Sequence, residues 1–199
     1  MSQATRASRR VQILTKQEPA IDSGLQWLWY NLSTDAVRYR RRGIQIDGPI
    51  IDPSSHFLYV VQRDSKAIRY GVGVGAEGFL WSGHATIDHK QEWPDWYPPA
   101  EMMARKPELR QHMVEMRGGG LGMNGGPENP LGARAMYLYF GGKDTLYRIH
   151  GTNEPWTIGT NISSGCIRLT NDDVVDLYKR TPVGTKVVVL PTTASVAIR

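Results

Sequence analysis

The chain reads as a mainly β domain with a few short helices, on three observations. Ile50-Ile51, Phe57–Gln62 and Ala67–Val74 are runs rich in β-branched and aromatic residues, parted by the turn formers Asp52-Pro53-Ser54 and Arg63-Asp64-Ser65. One strongly signalled helix stands late in the chain, and a further strand, Lys186–Leu190, follows Gly184. With 199 residues and 40% hydrophobic content, the chain can bury one sizeable core.

Residues 1–43 lack sustained periodicity and read as a basic N-terminal tail or arm, residues 44–190 as the domain, and 191–199 as a C-terminal tail. The net charge of +5 invites a nucleic-acid reading, but its distribution argues against one. Residues 1–43 hold eight Lys/Arg and three Asp/Glu, whereas the remainder holds sixteen of each. The domain therefore has no net field to steer a polyanion, and no nucleic-acid partner is expected. The run Arg38-Tyr39-Arg40-Arg41-Arg42 suits solvent, an anionic polymer or lipid headgroups. Ser8-Arg9-Arg10 resembles the start of a twin-arginine signal, but polar residues Thr15-Lys16-Gln17-Glu18 stand where a hydrophobic region should follow. No stretch reaches the roughly 18 apolar residues of a transmembrane segment.

Gly73, Gly75 and Gly78 spell a dinucleotide fingerprint by letter. That fingerprint must open a helix, and Phe79–Ile87 has no helical apolar stripe, so a glycine-rich strand edge is the better reading. Residues 88–130 carry six prolines and six glycines and read as a long irregular insertion forming one wall of a site. Short helices fit Ala100–Arg105 and Glu108–Met116 within it, and Trp93, Trp96 and Tyr97 offer apolar contact area. His56, His84, His89 and His112 match no zinc spacing, so neither a metal nor a cofactor is expected.

The stretch 149–169, IHGTNEPWTIGTNISSGCIRL, holds the only cysteine and a histidine sixteen positions before it. Glycines flank both: Gly151 follows His150, and Gly165 precedes Cys166, where close approach of a backbone or substrate is useful. The polar loop between them can fold the two segments together, making a Cys–His pair with a thiolate near neutral pH. If Tyr147–His150 and Cys166–Leu169 are strands, period-two alternation puts Arg148 with His150, and Arg168 with Cys166, on the faces opposite the core. Those guanidinium groups would lower the thiol pKa and clamp a substrate carboxylate, unless surface ion pairs engage them. Backbone N–H groups around Ser164–Cys166 are the natural oxyanion donors. Beyond them, Asn171–Arg180 is a helix with Asn171 or Thr170 as its cap, acids in its first turn, bases in its last, and Val174, Leu177 and Tyr178 on its apolar face.

The spacing from His150-Gly151-Thr152 to Ser163-Ser164-Gly165-Cys166-Ile167-Arg168 resembles the L,D-transpeptidase catalytic domain, or YkuD domain, of bacterial cell-wall enzymes. The likeness extends over about residues 44–190 through AIRYGVGVG, EWPDWYPPAEMMARKP, NPLGARAMYLYF and VGTKVVVL. It implies a YkuD-type mixed β-sheet sandwich with few helices, in a periplasmic or cell-envelope enzyme.

The resemblance also implies roles. Cys166 would attack a peptidoglycan stem carbonyl, His150 would be its base, and the Gly151 carbonyl would orient the imidazole. Ser163, Ser164, Gly165, Arg148, Arg168 and Trp156 would contact or shape the substrate. Many relatives carry a second histidine where Ser164 stands, and a hydroxyl does not titrate near neutrality. The reaction implied is acyl transfer from an L,D bond of a tetrapeptide stem, releasing D-alanine. The acceptor would be a second stem (a 3→3 cross-link) or an amine of an envelope protein. Water as acceptor would make a carboxypeptidase, and a non-catalytic wall-binding module is the alternative from another class.

Overall fold

The β-rich runs pair into one large mixed sheet in the computed structural model, which describes residues 12–15, 48–61, 66–76, 79–192 and 196–197. Its strands begin with β1 (Gln12–Thr15), β2 (Pro49–Asp52), β3 (Phe57–Val61), β4 (Lys66–Gly71), the short β5 (Val74–Gly75) and the long β6 (Trp81–Glu92). A small ribbon of β7 (Val114–Glu115) and β8 (Leu121–Gly122) comes next, then β9 (Arg134–Phe140) and β10 (Lys143–His150). The chain continues through β11 (Asn161–Ser163), β12 (Ile167–Arg168), β13 (Lys186–Val189) and β14 (Val196–Ala197). Helix α1 spans Ala100–Arg105 and α2 spans Asn171–Arg180.

Across the main sheet the order is β1-β4-β3-β2-β13-β6-β9-β10-β12, with β14 laid on β6. Most neighbours are antiparallel; β13 with β2, β12 with β10 and β14 with β6 run parallel. Two residues beyond β4, Gly73 exchanges both backbone hydrogen bonds with Arg168 of β12, at 2.9 and 2.8 Å. Those strands stand toward opposite ends of the order, so the sheet curls back on itself. Ile51, Leu58, Ile68 and Tyr70 from one half meet Ile87, Leu138, Ile149 and Ile167 from the other in a single buried core.

Alternation decides which side chains enter that core. In β9, Met136 and Leu138 point inward while Tyr137 and Tyr139 stay half-exposed outside. Helix α2 closes the core from one side. The Thr170 hydroxyl accepts from the Asp173 N–H at 3.2 Å and caps it, and Val174 and Leu177 are buried with Tyr178 packed beside them. Asn171, the other expected cap, is used elsewhere: its Oδ1 accepts from the Ala133 N–H at 2.8 Å.

The expected insertion differs in detail. Residues 88–92 complete β6, and the helix expected over Glu108–Met116 is a 3-10 turn, Pro107–His112, followed by β7. A helix that short is marginal, whereas Val114 and Glu115 gain pairing partners in Gly122 and Leu121 across a glycine turn. Strand β6 occupies the place of the helix that a dinucleotide fingerprint requires. Both presumed tails contribute strands: Gln12–Thr15 pairs along β4, and Val196 lies beside Trp81 of β6, giving sheet edges backbone partners. Gln62, Gly78, the twin-arginine-like pair and the Arg38–Arg42 run lie outside the described residues. Among the described residues no helix is long and apolar enough to cross a membrane.

Candidate active site

Parallel pairing of β10 with β12 brings the distant cysteine and histidine together. Ile149 lies beside Ile167, both buried, and His150 lies beside Arg168. Cys166 directly precedes this register, next to Arg148, and shares the non-core face with His150. His150 is 5% exposed, and its Nδ1 donates to the Gly151 carbonyl at 2.6 Å. A carbonyl only accepts, so that bond puts the proton on Nδ1 and makes Nε2 the basic nitrogen of the neutral ring. Cys166 is half-buried, and its Sγ lies 4.0 Å from the Leu146 carbonyl oxygen.

The loop entering Cys166 is held from three directions. The buried Ser163 hydroxyl donates to the Cys166 carbonyl at 2.6 Å and accepts from the Gly165 N–H at 3.2 Å. The Trp81 indole N–H donates to the Gly165 carbonyl at 2.9 Å, and Trp81 stacks on Tyr147 with ring centroids 4.8 Å apart. Gly165 has φ of +104°, and a Cβ there would lie 2.3 Å from the Tyr147 ring. Only glycine fits. Gly165 was expected to admit a backbone or a substrate; the Phe79 backbone carbonyl does come close, 3.1 Å from the Cβ position, and the Tyr147 ring fills the rest of that space. A Cβ on Gly151 would meet Asn171 Oδ1 at 2.3 Å, so tight packing against α2 is what excludes a side chain there.

Of the two readings of the arginines, substrate clamp or ion pair, the fold shows ion pairs for both. Arg148 forks onto Asp144 at 2.7 and 2.8 Å and lies over the Tyr137 ring. Arg168, 8% exposed, bonds the Thr152 hydroxyl at 2.7 Å and Glu154 at 2.8 Å, so it ties the strand carrying Cys166 to the loop following His150. Asp144 reaches Arg148 across the register irregularity within β10, and Glu154 reaches Arg168 from the loop after His150; period-two reasoning sees neither. Ser164 is exposed. Trp156 sits in the 3-10 turn Pro155–Thr157 with 75% of its surface exposed.

Electrostatically, the resting pair differs from the expected thiolate. Burial pushes the His150 imidazole down to about 4; the Gly151 carbonyl favours the charged ring, while Arg168 and Arg148 oppose it. Burial also pushes the Cys166 thiol up, outweighing the Arg148 backbone N–H and the two guanidinium charges that favour the thiolate. Near neutral pH the site therefore rests as a thiol and a neutral imidazole. Trp81, Tyr147, Asn171, Thr152, Glu154 and Asp144 were not singled out for the site from the sequence. Only Thr152 and Glu154, inside the loop joining the two motifs, carried any local signal.

Residues 49–189 match the model of the L,D-transpeptidase catalytic domain. The probable L,D-transpeptidase ErfK/SrfK of Escherichia coli K12 is 34% identical over 148 residues, which span 72% of this chain and 44% of that protein. Its counterpart in Salmonella typhimurium LT2 is 38% identical over 147 residues, with coverage of 72% and 44%. The aligned region is thus less than half the length of these relatives. The solved structure of the Ldtfm–avibactam carbamoyl enzyme shares the fold at a TM-score of 0.51 and 14% identity, over 75% of this chain and 50% of that one. The chain belongs to the L,D-transpeptidase catalytic domain (YkuD) family.

Proposed function

We propose that the protein is a peptidoglycan L,D-transpeptidase of the cell envelope, with Cys166 as nucleophile and His150 as its base. The observation that supports this reading is the β10–β12 pairing, which brings the segments carrying Cys166 and His150 side by side, with the imidazole's tautomer fixed by the Gly151 carbonyl. Family membership supplies the substrate class. Because both groups rest neutral, the proton moves from Sγ to His150 Nε2 as sulfur attacks the stem carbonyl, and no standing ion pair is needed. The backbone N–H groups of Ser164 and Cys166 are the donors for the developing oxyanion, because the Gly165 N–H is bonded to the Ser163 hydroxyl. Collapse breaks the bond to the terminal D-alanine, whose amine leaves with the proton held by His150, and a thioester remains. An acceptor amine on a second stem or an envelope protein then attacks. It passes its proton to His150, which returns one to sulfur.

Intact-mass analysis with a soluble tetrapeptide stem tests this. Wild type should gain one tripeptide acyl group, and a second stem should discharge it into a cross-linked dimer. Cys166→Ser, nearly isosteric, should fold and give no adduct. Acylation of a pure Cys166→Ser preparation would refute the nucleophile. Free tripeptide as sole product would reassign the enzyme as a carboxypeptidase, and folded wild type with no adduct would leave a wall-binding module.

A further inference from the structure

The middle of β10 contains a conformation that its sequence does not favour. Asp144 pairs with Tyr139 and Arg148 with Tyr137, so β10 advances four residues where β9 advances two. The extra residues form a bulge, which bends a strand and re-aims what it carries. At its crest Leu146 has φ of +63°, a left-handed conformation that side chains with a Cβ disfavour and glycine adopts freely. Its surroundings hold it there: Asp144 Oδ1 accepts from the Leu146 N–H at 2.8 Å while gripping Arg148, and Thr145 Oγ1 accepts from the Tyr147 N–H at 3.1 Å and donates to the Leu138 carbonyl at 2.6 Å.

Two observations give this strain a purpose. The Leu146 carbonyl lies 4.0 Å from Cys166 Sγ, so the residue stands at the nucleophile. Its side chain is 74% exposed and so contributes little to the core. A glycine would relieve the backbone at no packing cost, and a leucine in its place points to use of the side chain by something that is not this chain. We propose that Leu146 is a specificity-determining residue that packs on the aliphatic side chain of the donor stem's third residue. This rests on the transpeptidase reading. In the thioester, the carbonyl carbon bonded to sulfur is attached to the α-carbon that bears that side chain, so the side chain lies within two bonds of the acylated carbon, beside the residue whose carbonyl is 4.0 Å from Sγ.

The test compares two tetrapeptide donors, one with a diamino acid at the third position and one with alanine there, on wild type, Leu146→Gly and Leu146→Asn. Both variants tolerate the left-handed backbone and should melt no lower than wild type. For the diamino-acid donor, the second-order acylation rate should fall about tenfold in each variant; for the alanine donor it should change by less than about twofold. Equal losses on both donors would overturn the proposal in favour of a role in placing the thiol, and no loss on either would overturn it outright. Wild type that is acylated by neither donor would instead bring down the transpeptidase reading beneath it.

Discussion

Arg148 and Arg168 lie on the same face of two neighbouring strands, two residues apart in register, yet they do different work. Arg148 holds Asp144 at the surface beside the cysteine and so fastens the bulge of β10. Arg168 is buried behind the histidine, where it joins Thr152 and Glu154 to the cysteine strand and adds to the forces keeping the imidazole neutral. One arginine shapes the strand beside the cysteine, and the other braces the loop that follows the histidine. Identical residue types at identical strand phase are thus separated by where the carboxylate that meets them comes from and how deeply each pair lies.

The comparison can be broken in several ways. The largest effect belongs to the histidine that precedes the braced loop: His150→Ala should cut turnover by roughly 10²–10⁴ while the protein remains folded, measured by acyl-transfer rate alongside thermal melting. Arg168→Met strands Thr152 and Glu154 and should cost about 2–3 kcal/mol in denaturant unfolding, below the full cost of breaking a buried pair because Glu154 is half-exposed. A pH titration of stability should also respond. His150 is held down to about 4 when folded against 6.5 ordinarily, so on acidification the unfolded chain takes up the proton first. The stability present above pH 6.5 is then lost as pH falls toward 4, by a few kcal/mol at about 1.4 kcal/mol per pKa unit. His150→Gln should flatten that part of the curve. Arg148→Met is the mildest change, about 1 kcal/mol by the same unfolding measurement, because its ion pair lies at the surface. If Arg148→Met proved more damaging to stability than Arg168→Met, the roles assigned to the two arginines would be reversed.

Local chemistry made much of this legible in the sequence. Helix Asn171–Arg180 could be read from its acids, its bases and a threonine cap, because each of those signals acts within one turn of the chain. The alternation of Tyr147–His150 foretold that Ile149 would be buried and that His150 would face away from the core. The indole that fixes the Gly165 carbonyl could not be read, because Trp81 lies 84 residues from it and meets it only when the sheet curls. That ion pairs could engage the two arginines was foreseen, but not which carboxylates would do so, because Asp144 reaches Arg148 across an irregularity in β10 and Glu154 reaches Arg168 from the loop after His150. The expected thiolate rested on an incomplete count of the charges and their surroundings. Two cationic side chains were counted, but the depth of the site was not, and desolvation outweighs their charge.

The account's central claim is that Cys166 and His150 rest as a neutral pair and that the proton moves only with the attack. The pH dependence of Cys166 alkylation by a small neutral reagent, read by intact mass, tests it most directly. The claim predicts a rate that keeps rising through alkaline pH, with a single ionisation above the ordinary cysteine value of 9.0 and no plateau near neutrality. A plateau already reached below pH 7, and abolished in His150→Ala, would show a standing thiolate–imidazolium pair and contradict it.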